Sequence, residues 1–484
     1  MARTGDRGVR LEEVHITALT PERLLPLIGP ERAERFEATA RAARERLAGR
    51  TILNVNSTAS GGGVAEMLRS ILAYVRGAGI DAQWVVIKGD PHFFEITKRI
   101  HNNLHGAPGD GGALGADERR HYEEILHANA DELLALVRPR DIVVLHDPQT
   151  AGLAHALARA GVIVIWRCHI GTDATNEQSD RAWAFLRPYL EDVDAYVFTR
   201  QAYVPGWADP ERTAVIPPSI DPFSPKNQEM PPADVEAVLH YVGLREGNPP
   251  GAVAAYTRAD GSVARITRHV DVLQTGPPPP ADAPLVVQVS RWDPLKDMSG
   301  VMTAFAEHVD GGSAAHLLLA GPVVSGVADD PEGAATFERC IEVWRRLPHA
   351  ERSRIHLACL PMHDTDENAA IVNAIQRHAA VVTQKSLAEG FGLTVAEAMW
   401  KEKPIVASAV GGIVDQIVSG EHGLLVDDPR NEAEFGQAVR RLLDDPTYAE
   451  HLGANARKRA IREFLGDRHL SQYAELFDKL DRAR

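Results

Sequence analysis

The chain has 484 residues, more than one hydrophobic core can organise, so roughly two to four domains are expected. Apolar residues make up 44% and charged residues 25%, the balance of an ordinary globular protein. The net charge of −15 excludes nucleic acid and acidic membrane as main partners, yet a few local cations can still bind a diphosphate inside an acidic chain.

The N-terminus (Met1-Ala2-Arg3-Thr4-Gly5-Asp6) lacks the apolar run of a secretory leader, and no apolar stretch reaches the roughly 18 residues of a membrane span. Cys168, Cys340 and Cys359 have no metal-type spacing and read as reduced thiols, so a cytoplasmic location is expected. Of the 52 basic residues only nine are lysine, so a lysine beside a motif carries more information than usual.

Residues 1–48, rich in Glu, Arg and Ala, predict helical segments. Short β-branched runs alternating with helices follow: Ile52–Val55, Trp84–Ile87, Ile142–Leu145, Val162–Trp166, Ala195–Phe198 and Ala214–Ile216. A second set comprises Leu285–Val289, His316–Leu319, Ile355–Ala358, Ala380–Thr383, Ile405–Ala407 and Leu424–Val426. Such alternation builds parallel sheets with crossover helices, and two sets imply two doubly wound α/β domains. Gly276-Pro277-Pro278-Pro279-Pro280 cannot continue a helix or a central strand and predicts a stiff linker at 274–284. The stretch 246–270, with Gly247-Asn248-Pro249-Pro250-Gly251, reads as an insertion or mobile loop. The expected division is an N-terminal Rossmann-like domain at 1–275, a C-terminal one at 284–464, and a terminal helix at 465–484 packing back toward the N-terminal domain.

Ligands of open parallel sheets bind at the carboxyl ends of the strands, which with two such domains points to the cleft between them. The motifs fall at those ends. Gly61-Gly62-Gly63 joins the run 52–55 to a helix, but it is neither a Walker loop nor a dinucleotide fingerprint, and a flexible loop explains it almost as well. His146-Asp147-Pro148-Gln149 follows 142–145, with Asp147 and Gln149 as candidate binders of sugar hydroxyls. His169 follows 162–166. A lone histidine is more often structural than catalytic, but this one falls on the face expected to line the cleft.

Ser290-Arg291-Trp292-Asp293-Pro294-Leu295-Lys296 follows 285–289, and Arg291 and Lys296 can converge on a diphosphate. Glu389-Gly390-Phe391-Gly392-Leu393-Thr394-Val395-Ala396-Glu397 follows 380–383. Its glycines permit a tight turn. A helix starting near Leu393 would aim unpaired N–H groups at a diphosphate. Two carboxylates make poor phosphate ligands and good acceptors for sugar and ribose hydroxyls, which suits Glu389 and Glu397. Gly411-Gly412-Ile413 is either a backbone approach to ligand or a plain helix start.

The segment 380–426 resembles the glycogen-synthase-like retaining glycosyltransferases of glycosyltransferase family four, which have the GT-B fold: two Rossmann-like domains facing a central cleft. The resemblance rests on Glu389-Gly390-Phe391-Gly392, Glu397-Ala398-Met399, Lys403-Pro404-Ile405-Val406-Ala407-Ser408, Gly411-Gly412 and Gly423-Leu424-Leu425-Val426. Asn54–Thr58, Gly61–Glu66, Phe93–Lys98, His101-Asn102, His146–Gln149, Ser219–Pro222 and Ser290–Asp293 narrow it to a branch, the trehalose glycosyltransferring synthases.

That resemblance implies transfer of glucose from a nucleoside-diphosphate glucose (UDP-, ADP- or GDP-linked) to C1 of free glucose, reversibly, giving α,α-trehalose. It implies ribose contacts at Glu397 and donor-sugar contacts at Glu389. It puts sugar and phosphate contacts on the backbone from Phe391 through Leu393 to Thr394, beside Gly390, Gly392 and Gly63. Arg291 and Lys296 would stabilise the leaving diphosphate, and His169 would meet the donor sugar near the reacting carbon. The acceptor would lie near Gly62, Lys88, Asp147 and Gln149.

No carboxylate stands out as a nucleophile, so front-face attack is expected rather than double displacement. No Asp-x-Asp pattern stands out either, so no tightly bound cofactor is expected, and any magnesium would not be held by a protein site. A trehalose phosphorylase, another hexosyltransferase, a nucleotide-sugar epimerase or a non-catalytic nucleotide-sugar binder are the competing readings. Oligomeric state is not legible, a homodimer being compatible with the chain.

Overall fold

The apolar runs of both halves all become parallel strands in the computed structural model, which describes residues 11–59, 62–247, 253–309, 314–324 and 332–483. The chain divides into two compact units, Met1–Ser219 with Gly466–Arg484, and Ile220–Leu465.

The first unit holds a seven-stranded sheet: β1 (Glu12–Glu13), β2 (Thr51–Asn56), β3 (Asp81–Val86), β4 (Ile142–His146), β5 (Ile163–Cys168), β6 (Ala195–Phe198) and β7 (Thr213–Val215), in the order β1-β3-β2-β4-β5-β6-β7. Only β1 runs antiparallel, at the edge against β3. Alternate residues of each strand enter different cores. Leu53, Val55, Val143, Leu145, Val164 and Trp166 pack on one face, and Ile52, Ile142, Val144, Ile163 and Ile165 on the other. Burial on both faces is why these strands read as continuous apolar runs.

The terminal helix Gly466–Ala483 completes the second of these cores with Leu476 and Phe477. Ion pairs Arg32–Asp467 (2.5 Å) and Arg50–Asp481 (2.8 Å) fasten it to the unit. Of the segment expected to be helical at 1–48, the described residues are so only from Pro21 onward. Residues 11–20 carry β1 and extended chain, because Val14 N–H continues the pairing to Trp84 O.

The second unit repeats the plan with β10 (Asp271–Leu273), β11 (Leu285–Val289), β12 (His316–Pro322), β13 (Ile355–Leu360), β14 (Val381–Gln384), β15 (Ile405–Ser408) and β16 (Leu424–Val426), in the order β10-β13-β12-β11-β14-β15-β16. Again the one antiparallel strand, β10, lies at an edge. β8 (Ala255–Thr257) and β9 (Val263–Arg265) form a separate hairpin.

Residues 220–275, which the sequence reading attaches to the first domain, group with the second unit. The reason is bonding distant in sequence. Asn373 Nδ2 donates to Pro225 O and Gln228 O, Trp400 Nε1 donates to Asn227 O, Lys401 Nζ donates to Asn227 Oδ1, and β10 pairs with β13. The tetraproline therefore lies inside this unit, where Pro279 O accepts from Glu246 N–H. The stretch read as an insertion or mobile loop contains the β8–β9 hairpin, anchored by the two-toothed Arg258–Asp364 pair and by Glu367, which accepts from Arg268 N–H. Asn248-Pro249-Pro250-Gly251 lies outside the described residues.

Strand order reverses between β2 and β4 in the first unit and between β11 and β14 in the second. Crevices at such switch points are where open α/β sheets bind ligands. Among the described residues, no helix is long and apolar enough to cross a membrane.

Candidate active site

In the second unit, the loops after β11 and β14 meet at the switch point. Lys296 Nζ lies 2.5 Å from Glu389 Oε2, joining the two motifs through one ion pair. The same oxygen accepts from Ser386 Oγ (3.1 Å) and Gln384 Nε2 (3.4 Å). Gln384 Oε1 in turn accepts from Thr394 Oγ1 (2.9 Å) in the first turn of the helix Leu393–Trp400. Glu389, Thr394 and Lys296 thus form one polar cluster oriented by Gln384.

The loop bearing Lys296 is itself pinned. Gln288 Nε2 donates to Lys296 O (2.8 Å), Leu387 N–H donates to Leu295 O (2.8 Å), and buried Lys385 pairs with Asp297. Arg291 pairs with Asp293 of its own loop at 2.9 Å, with its guanidinium half-exposed near the strand end.

The helix begins at Leu393, as its pattern predicts, with Gly392 as N-cap at φ +86 and no side-chain cap. The first N–H groups of such an end have no partner within the helix and carry its positive dipole. Phe391 buries its ring edge-on against Phe464, so only its backbone is available to a ligand. Glu397 is 1% exposed and faces Lys226, whose Nζ is 3.4 Å away. Gly412 also packs closely on the neighbouring turn: Cβ there would lie 2.6 Å from Phe391 Cα. Lys226, Gln384, Ser386, Lys385 and Gln416 are partners that sequence reasoning missed. Lysine scarcity was the one signal that could have found two of them.

In the first unit, Gly62 caps the helix Gly63–Gly77, and both glycines are exposed, while Gly61 lies outside the described residues. Asp147 follows β4 at φ +62, a left-handed backbone uncommon outside glycine. It is held there because its Oδ1 accepts from His169 N–H at 2.7 Å and its carbonyl accepts from Trp166 Nε1 at 3.1 Å. Gln149 lies in the same single helical turn, Asp147–Thr150. The structure therefore brings Asp147 and His169 together, with Gln149 two residues further along the same turn. Lys88 is not brought to them. It follows β3, two strands from β4, and its Nζ pairs with Glu12 at 2.6 Å because β1 lies along that edge.

His169 stacks on His146, with its Nε2 3.0 Å from His146 Nδ1. Burial, and then the Arg167 charge, push the pKa of His146 down to about 3 and that of His169 well below the ordinary value. His469 is lowered likewise, by burial first. Burial pushes the Asp147 carboxyl up to about 7.

These shifts fix the sign of a pH dependence. Below about 6.5 the unfolded chain protonates three histidines that the folded chain keeps neutral, so stability falls as pH falls. Between about 4 and 7 the folded chain instead holds a proton on Asp147, which offsets one histidine. From these four groups a net uptake of about two protons on unfolding, or about 2.7 kcal/mol per pH unit, is expected near pH 5, and His316, His356, His378 and His422, also lowered by burial, steepen it. The check is the unfolding midpoint against pH in wild type and His469→Gln. The variant should flatten the slope by about one proton, and an unchanged slope would mean that His469 is not a neutral buried group.

Two family models match the chain: "Trehalose synthase, N-terminal domain" over residues 54–205 and "Glycosyl transferases group 1" over residues 274–459. A trehalose synthase of Pyrococcus horikoshii is 33% identical over 94% of this chain and 95% of its own. One of Rubrobacter xylanophilus is 35% identical over 90% and 92%. Among solved structures, an α,α-trehalose-phosphate synthase (UDP-forming) of Burkholderia xenovorans is similar in fold, with a TM-score of 0.64 at 16% identity, covering 89% of this chain and 100% of that one.

Proposed function

The chain belongs to the trehalose synthase family of glycosyltransferases, with the GT-B class of fold, and from that premise we propose that it transfers glucose from a nucleoside-diphosphate glucose to free glucose, reversibly and with retention, to give α,α-trehalose. The observation that carries this reading is the Lys296–Glu389 pair beside the uncapped start of the helix Leu393–Trp400. A cation, a carboxylate and a row of helix N–H groups at one switch point match, in that order, a leaving diphosphate, sugar hydroxyls and phosphate oxygens.

On this reading Arg291 and Lys296 stabilise the departing diphosphate. Glu389 and the backbone at Gly390, Phe391, Gly392, Leu393 and Thr394 hold the donor sugar and phosphates, and Glu397 with Lys226 serves the ribose. His169 meets the sugar near its reacting carbon. Asp147 and Gln149 hold the acceptor, with Gly62 and Gly63 beside them. Attack comes from the face the diphosphate leaves, with a phosphate oxygen taking the acceptor proton, and no tightly bound cofactor is needed.

The test is to supply the chain with UDP-, ADP- or GDP-glucose, with and without glucose, and to determine the linkage of any product. Release of nucleoside diphosphate that depends on glucose, with a 1,1-linked α,α disaccharide, is expected. A product formed without glucose would make the protein an epimerase. Trehalose cleavage that requires inorganic phosphate and no nucleotide would make it a phosphorylase. Either result overturns the reading.

A further inference from the structure

Arg167 is fully buried on β5 and, among the described residues, has no carboxylate within ion-pair reach. Its donors go instead to neutral acceptors. Nε donates to His169 Nδ1 (3.3 Å), one terminal nitrogen donates to Tyr473 Oη (2.6 Å) and lies 3.4 Å from His469 Nε2, and the other donates to Ile216 O (3.0 Å). Beyond His169 the chain of contacts continues through His146 Nδ1 (3.0 Å) to Asn54 Oδ1, which lies 2.9 Å from His146 Nε2.

We propose that Arg167 is a positioning residue that fixes the direction of every hydrogen bond in this network, so that His169 is a neutral ring protonated on Nε2 with both nitrogens committed inside the protein.

A guanidinium only donates, and it stays protonated at all relevant pH. His169 Nδ1 must therefore accept, which puts its one proton on Nε2. That N–H donates to His146 Nδ1, so the His146 proton sits on its own Nε2 and points at Asn54. Asn54 must present its oxygen there. The flipped amide would drive the proton of His146 onto Nδ1 and leave His169 with no proton on either nitrogen. The second branch obeys the same rule: His469 Nε2 accepts, so its Nδ1–H donates to Ser219 Oγ (3.1 Å).

His169 therefore has no free ring nitrogen for acid–base work. What the network does is lock the ends of β4 and β5, where His169 N–H holds Asp147 in its left-handed conformation. The relevance of this to transfer rests on the proposed reading of the site. The proton positions do not.

The experiment is nitrogen NMR on the substrate-free full chain carrying 15N-labelled histidine, with His146→Gln and His469→Gln used for assignment. His169 and His146 should show the Nε2–H pattern and His469 the Nδ1–H pattern. All three should hold across about pH 5 to 8, where a free histidine titrates. The groups facing them are Asp147 after β4, Arg167 on β5, and Arg468, His469 and Tyr473 on the terminal helix. An Nδ1–H or doubly protonated His169 overturns the proposal, and the wild-type spectrum alone decides that.

Arg167→Met should replace the single His169 pattern by a mixture of both neutral forms. A tautomer that stays fixed in this variant also overturns the proposal. The predicted tautomers in a chain that makes no trehalose would sink the transfer reading and leave the network intact.

Discussion

Lys296→Ala is expected to lower turnover at saturating donor by on the order of 100-fold or more, the scale of losing one preorganised charge partner of a developing anion. Two effects combine. On the proposed reading the departing diphosphate loses a cation that the fold has already placed, pinned from β11 by Gln288 and from the loop after β14 by Leu387. Glu389 also loses its Lys296 partner, so on the proposed reading the carboxylate that receives sugar hydroxyls is less firmly held. Turnover should fall far more than donor affinity, because the charge on the leaving group develops only in the transition state.

Glu389→Gln keeps the shape and loses the charge, so it should cost less than Lys296→Ala. The double variant should fall short of the product of the two single effects, since the pair acts as a unit. Steady-state kinetics on the purified variants, with thermal midpoints to confirm folding, decides it. Unchanged turnover in Lys296→Ala would remove Lys296 from the chemistry and with it the observation that carries the proposed function.

The parts of this fold that were legible in the sequence are those whose information is local. A central parallel strand is buried on both faces and is apolar at nearly every position, which is why Ile142–Leu145 and Leu285–Val289 announce themselves. Edge strands carry no such requirement. β1 is two exposed glutamates, Glu12 and Glu13, and β10 is exposed at Asp271. Neither has a pattern to read. The unit boundary was misread for a related reason. The tetraproline is a conspicuous local signal, whereas the attachment of residues 220–275 to the second unit runs through Asn227, Asn373, Trp400 and Lys401, which only the folded chain brings together.

The site divides the same way. Strand-end motifs put Arg291, Lys296 and Glu389 in the loops after β11 and β14, and the glycine turn set the helix that carries Glu397 to start near Leu393, where it begins. Their partners were not readable. Lys226 faces Glu397 from far upstream, and Arg167 sits at the end of an apolar run where its charge looks like a strand terminus rather than the donor of a buried network.

Gly412→Ala should disable donor use almost as severely as the lysine variant, by a purely steric route. The backbone of Gly412 (φ −65, ψ −6) is in the ordinary helical region, so alanine is not strained by its own conformation. The difficulty is what the added Cβ meets: Phe391 Cα at 2.6 Å, Gly390 O at 2.9 Å and Phe391 O at 3.0 Å. All three are backbone atoms, so no flexible side chain can yield. The Gly390–Gly392 turn must move instead, against Gln416, whose Nε2 donates to Phe391 O and also lies 3.3 Å from Gly392 O and Gly412 O.

Overpacking of this kind costs about 1–3 kcal/mol of stability. A displacement of about 1 Å at a positioning loop can cost on the order of 100-fold in rate. Because the displaced turn holds donor rather than acceptor in the proposed reading, the KM for the nucleotide sugar should rise while the KM for glucose changes little. Steady-state kinetics with each substrate varied in turn, beside a thermal midpoint lowered by a few degrees, would show that pattern. A folded Gly412→Ala protein with an unaltered donor KM and turnover would mean that the Gly390–Gly392 backbone does not touch the donor.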